Sequence, residues 1–223
     1  MADQKFRPIL FSTEMVVALQ EVRKTQTRRI VKLQPENTRA KEQNIKEVRE
    51  YFTGVPEHGL AYYWMDRGSW NSSEPFKCPY GLAGDILWVR ETFCERKDGS
   101  FIYKAGWKFC DDAGWKPSIH MPKEAARLFL KIKNIRVERL QEINEDGAIA
   151  EGIVEYEDGM FKNYFTQRGL RERDGVECML PKASFISLWS SINGKDSWKS
   201  NPWVWVIEFE LVDKPENFGR TEV

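Results

Sequence analysis

Residues 8–29, PILFSTEMVVALQEVRKTQTRR, carry the reading of both fold and site. Pro8-Ile9-Leu10-Phe11 is a short apolar run that predicts a strand. Ser12 or Thr13 then supplies a helix cap, and Glu14 falls in the first turn, where the helix dipole favours an anion. Met15, Ala18, Leu19 and Val22 recur at helical spacing, which predicts one apolar helix face. Thr25 and Thr27 weaken helix continuation. Val22-Arg23-Lys24-Thr25-Gln26-Thr27-Arg28-Arg29 therefore lies at the helix C-terminus or just past it. That end of the dipole attracts cations, a structural reason for Arg23 and Lys24. The same eight residues combine a Lys, two hydroxyls and two adjacent Arg, the groups needed to hold an anion or activate a hydroxyl.

Working outward, Gly84-Asp85 marks a turn and Ile86 to Phe93 a strand. On an extended chain Leu87, Val89, Glu91 and Phe93 share one face, and Trp88, Arg90 and Thr92 the other. Phe101 to Ala105 predicts another strand. Leu128 to Val137 predicts a longer one, with Asn134 disturbing the alternation as a bulge would. Asn144 caps a short helix through Ile149, and Ser184 to Ile192 forms a second, ending at Asn193-Gly194. Pro202 to Glu210 closes the chain as a strong strand. Two polar insertions interrupt this order, at about 32–78 and 155–181. The first holds a surface helix, Lys41 to Phe52, and a loop carrying Tyr62, Tyr63, Trp64 and Trp70. Several strands with few helices predict a single α+β domain, 1–223, built as a small mixed barrel flanked by helices.

The chain has 223 residues, with Lys+Arg and Asp+Glu both 34, and a pI near 6.8. Global charge therefore offers no steering toward nucleic acid. Cys78, Cys94, Cys110 and Cys178 lack zinc-ligand spacing and have only His58 and His120 to assist them, so no metal or cofactor is expected. Reduced thiols of a cytoplasmic protein are the expectation. Neither a signal pattern nor an apolar run of about 20 residues is present, so no membrane contact is expected. Nine Trp among 29 aromatics suit a tight core first and base stacking second.

A strand, a helix ending in Lys-Thr-x-Thr-x-Arg, then Gly-Asp-x-Leu-x-Val, then a strand running into Val137-Glu138-Arg139-Leu140, resembles the ASCH domains of the PUA-like superfamily. Cys78-Pro79-Tyr80-Gly81, Trp88-Val89-Arg90-Glu91-Thr92, Trp115 to Pro122 and Asn201 to Trp205 are similar to the larger ASCH-like proteins of phages and prophages. The resemblance implies a PUA-like barrel associated with RNA. More distantly, it implies the N(4)-acetylcytidine amidohydrolases, whose catalytic set is a Lys, a Thr and a Glu. Lys and Thr carry over to Lys24 and Thr27. The position expected for Glu holds Lys131, which cannot act as a carboxylate.

Removing an acyl group from an exocyclic amine of cytosine or cytidine needs a nucleophile, a proton carrier and an oxyanion stabiliser. Thr27 offers the hydroxyl. Lys24 offers the base if burial or Arg28 and Arg29 lower its pKa. Glu91 is the substitute carboxylate, or a structural ion-pair partner of Arg28 or Arg29. Substrate contacts are expected from Arg28, Arg29, Trp88, Tyr103, Trp115, Ser118 and His120, the last three on a Pro-stiffened loop. The alternative is a non-catalytic module for RNA or single-stranded nucleic acid, with Arg28, Arg29 and Lys32 on phosphate. A third reading gives the insertions a host protein partner.

Overall fold

The computed structural model describes residues 4–32, 34, 61–62, 76–110, 114–164 and 178–219. Lys41 to Phe52 lie outside them, as do Tyr63, Trp64 and Trp70. The described residues form an α+β fold around one five-stranded mixed sheet. Strand β1 (Phe6–Leu10) lies parallel to β5 (Ile86–Arg90), and β5 is antiparallel to β8 (Phe129–Arg139). Then β9 (Trp203–Val212) pairs antiparallel with both β8 and β2 (Gln26–Ile30), giving the order β1-β5-β8-β9-β2. Two small pairs stand apart: β3 (Ala61–Tyr62) with β4 (Phe76–Lys77), and β6 (Phe93–Glu95) with β7 (Phe101–Tyr103). Among the described residues β1 and β2 are sheet edges, so these strands form an open sheet rather than the expected closed barrel.

Strand β9 organises the core because its side chains alternate between two faces. Trp203, Trp205, Ile207 and Phe209 enter one cluster with Ile9, Phe11, Val16, Leu19, Leu87 and Leu130. Val204 and Val206 enter another with Phe161, Phe185, Leu188 and Trp189. Helix α1 (Thr13–Gln20) covers the first face, and α3 (Pro181–Asn193) the second. A short α2 (Glu145–Ala150) packs against β2 and α3, and Gln26 Nε2 donates to its Gly147 O. The caps follow the sequence: Ser12 accepts from the Met15 N–H, and Asn144 from the Gly147 N–H. The bulge expected at Asn134 is a register shift between Ile132 and Asn134.

Three expectations are corrected. Val22 is not on the apolar face of α1: the helix ends at Gln20, and Val22 turns to φ 58 and stands 73% exposed. The strand from Ile86 breaks at Arg90, so Phe93 leaves the face of Leu87 and Val89 and packs with Ile86 and Trp88. Cys94 and Cys110 are not reduced thiols. The β6–β7 hairpin returns the chain, and the two form a disulfide with Cα atoms 6.2 Å apart. Cys78 and Cys178 are free. Among the described residues, no helix is long and apolar enough to cross a membrane.

Candidate functional site

The basic run divides at a turn. The Arg23 and Lys24 N–H groups both donate to Ala18 O, closing α1, and Gln26 begins β2. Lys24 then bridges to Glu151, the residue that ends α2. Gly152 makes this approach close: at φ +84, a Cβ there would lie 2.8 Å from the Lys24 Cβ and 2.9 Å from that of Ala18. Only glycine accepts both the conformation and the space.

Glu151 is the hub. Its Oε2 accepts from Lys24 Nζ at 2.9 Å, and its carbonyl accepts from the same ammonium at 2.8 Å. Its Oε1 accepts from Arg28 Nη1 at 3.1 Å. Arg28 also donates to Glu138 Oε1 at 2.6 Å, and Glu138 in turn accepts from Arg136. All three members of the Lys24–Glu151–Arg28 set are buried. Burial lowers the Lys24 pKa, Glu151 opposes the fall, and Arg29 and Arg28 add to it. This is the direction a proton-accepting lysine requires.

Strand pairing decides where the other groups point. Thr27 pairs with Ile207 and Arg29 with Trp205, on the α1 face. Arg28 pairs with Val206 on the α3 face, its guanidinium 5.8 Å from the Phe185 ring centre. At the open β2 edge a cavity of about 150 Å³ is lined by Thr27, Arg28, Arg29, Tyr80, Glu151 and Asn193. Its apolar wall comes from Met15, Ile30, Phe185, Leu188, Trp189 and Ile192. Tyr80 is held by the turn in which the Gly81 N–H donates to Cys78 O. Its phenol pKa is raised by burial, with Arg29 acting against. Arg29 donates from Nη2 to Leu10 O at 2.6 Å and lies 5.3 Å from the Phe11 ring centre. Burial lowers its pKa, and Tyr80 and Glu151 raise it.

Thr27, Arg28 and Arg29 thus meet at one cavity, and Lys24 reaches it through Glu151. Glu91 does not join them. It is buried, but its two oxygens are gripped by Arg127 at 2.8 and 3.0 Å, not by Arg28 or Arg29. Tyr103 lies under that guanidinium, 4.1 Å from ring centre to Cζ, and donates its hydroxyl to Ala125 O. Trp88 packs in the third apolar cluster, and Arg90, stacked on it, donates to Ile119 O and Met121 O. Those bonds tie down the short 3-10 turn that carries Ser118 and His120, with His120 exposed. Trp88, Tyr103, Trp115, Ser118 and His120 are therefore elsewhere than the cavity at β2. Lys131 is exposed opposite Glu210.

Sequence reasoning missed Glu151, the buried carboxylate that pairs with both Lys24 and Arg28. The signal was present: Glu151-Gly152 directly follows a capped helix, where glycine permits a left-handed turn and a close approach. Tyr80 and Trp189 were also missed. Among the described residues, no group of three or more His, Cys, Asp or Glu is placed to hold a metal ion. The chain matches no protein-family model, no curated protein and no solved structure.

Proposed function

We propose that this chain is an ASCH-like, PUA-related hydrolase that removes an acyl group from the exocyclic amine of a modified cytosine or cytidine. The observation that carries the reading is the meeting of Thr27 with Glu151, and through it Lys24, at one cavity. The volume of about 150 Å³ falls below the roughly 300–1,000 Å³ of sites for drug-sized ligands. That favours a single ring over a polymer strand. Arg28 is committed to two carboxylates, which removes it from the phosphate contacts a nucleic-acid module needs.

In this reading Thr27 Oγ1 attacks the acyl carbonyl carbon, and its proton passes to the Lys24–Glu151 pair. Arg29 faces the oxyanion that forms. The C–N bond then breaks, and the pair returns its proton to the departing exocyclic nitrogen. Water attacks the Thr27 ester, releasing the acid and restoring the hydroxyl. Wall residues Phe185, Leu188 and Trp189 exclude bulk water and give the ring an apolar bed.

Purified protein incubated with N(4)-acylated cytosines and cytidines, followed by chromatography, tests the reading. Release of cytosine or cytidine supports it. Failure across acetyl, butyryl and benzoyl substrates, in both base and nucleoside form, removes it.

A further inference from the structure

Two side chains of the cavity wall carry donors that find no acceptor. The Nε of Arg29 is buried without a hydrogen-bond partner, and so is the Nε1 of Trp189. Both residues line the same cavity. Among the described residues, Glu151 is the carboxylate that lines it and already holds Lys24 and Arg28, while Glu138 behind Arg28 holds Arg28 and Arg136. Among the described residues, Arg29 has a backbone carbonyl and an aromatic face but no carboxylate at ion-pair distance. A guanidinium whose Nε is buried with no carboxylate at ion-pair distance carries a desolvation cost, and so does a buried indole N–H without an acceptor. Both costs fall if a ligand brings negatively charged oxygen.

We infer that the cavity is a binding site for a small organic carboxylate, with Arg29 and the Trp189 indole N–H taking its two oxygens and Phe185, Leu188 and Ile192 taking its apolar body. Two free donors match two oxygens. A phosphate dianion needs a fuller ring of donors and gains nothing from the apolar wall. Both donor atoms are enclosed, so seating the acid turns the two side chains toward it. The identification of the acid as the product of acyl cleavage rests on the hydrolase reading. The binding itself does not.

The experiment titrates the full-length protein with sodium benzoate, benzamide and inorganic phosphate by calorimetry, with circular dichroism as the check on folding. Benzoate is expected to bind, and benzamide and phosphate at least tenfold more weakly. Arg29→Gln and, separately, Trp189→Phe are each expected to weaken benzoate at least fivefold. If Arg29→Gln fails to fold, Trp189→Phe still decides. No benzoate binding overturns the inference. So does binding that neither substitution weakens, or phosphate binding as tight as benzoate. Competitive inhibition of acyl-cytosine hydrolysis by benzoate identifies the acid as the reaction's own product. Benzoate binding with no turnover of any such substrate keeps the carboxylate site as that of a free acid and removes the hydrolase reading.

Discussion

Lys24 and Arg28 are held by opposite oxygens of one carboxylate, Glu151, at 2.9 and 3.1 Å. The two cations reach it from different sides. Lys24 lies 5.6 Å from the Phe11 ring centre, beside the α1 face, and Arg28 lies over Phe185 on the α3 face. Glu151 therefore clasps the free edge of β2 and joins both halves of the core there.

That sharing makes the two ends of the pair unequal. Glu151→Gln leaves two buried cations short of a charge and is expected to cost about 3–5 kcal/mol, the usual range for breaking a buried pair. Lys24→Met leaves Glu151 still bonded to Arg28 and is expected to cost about 1–3 kcal/mol. Urea unfolding of both variants checks the order. Equal costs, or a larger cost for Lys24→Met, would contradict the shared-hub arrangement.

Gly152→Ala tests the close approach behind that pair. The φ of +84 disfavours any side chain, and the new Cβ meets Lys24 and Ala18 at 2.8 and 2.9 Å. Strain and overpacking together are expected to cost about 2–5 kcal/mol. Gly99→Ala shares a positive φ but has nothing within 4 Å, so only the strain of about 1–2 kcal/mol applies. Thermal unfolding of the two variants side by side separates the contributions.

The Cys94–Cys110 disulfide closes a span of 16 residues. A loop of that length is expected to contribute about 3 kcal/mol through the unfolded chain. Reduction with dithiothreitol should lower the unfolding temperature of the parent and leave a Cys94→Ser, Cys110→Ser variant unchanged. Free-thiol counting on the denatured, unreduced protein should find two thiols, those of Cys78 and Cys178.

Cys78 gives a pH dependence of defined sign. Burial raises its thiol from 9.0 to about 11. Between those values the unfolded chain has lost a proton that the native chain keeps. Stability from this group is thus whole below pH 9 and falls as pH climbs to about 11, by roughly 2–3 kcal/mol. Lys24 acts in the opposite sense: its lowered pKa makes stability rise with pH toward 10.5. Comparing Cys78→Ala with the parent across this window isolates the falling limb. A variant with the same slope as the parent would contradict the assignment.

Local signals made most of the elements legible. The Ser12 and Asn144 caps, the α3 stop at Gly194 and the Asn134 bulge each depend on neighbours within a few residues, so the sequence carries them. Glu91 shows where that stops. Its apolar-face position followed from strand alternation, but the strand ends at Arg90, and its partner, Arg127, is 36 residues away. Likewise nothing local ties Lys24 to Glu151 across 127 residues. Only the packing of α2 against the β2 edge brings them together. Trp88 and Tyr103 carry the chemistry of base stacking, but distant contacts set their surroundings: Trp88 packs in the third apolar cluster and Tyr103 against Arg127.

Thr27→Val tests the central claim most directly, because it removes one hydroxyl and keeps the branched shape. With folding verified by circular dichroism, kcat on the best N(4)-acylcytosine substrate is expected to fall at least 100-fold while KM changes less than threefold. A Thr27→Val protein that turns over at the parent rate would contradict a site built on that hydroxyl.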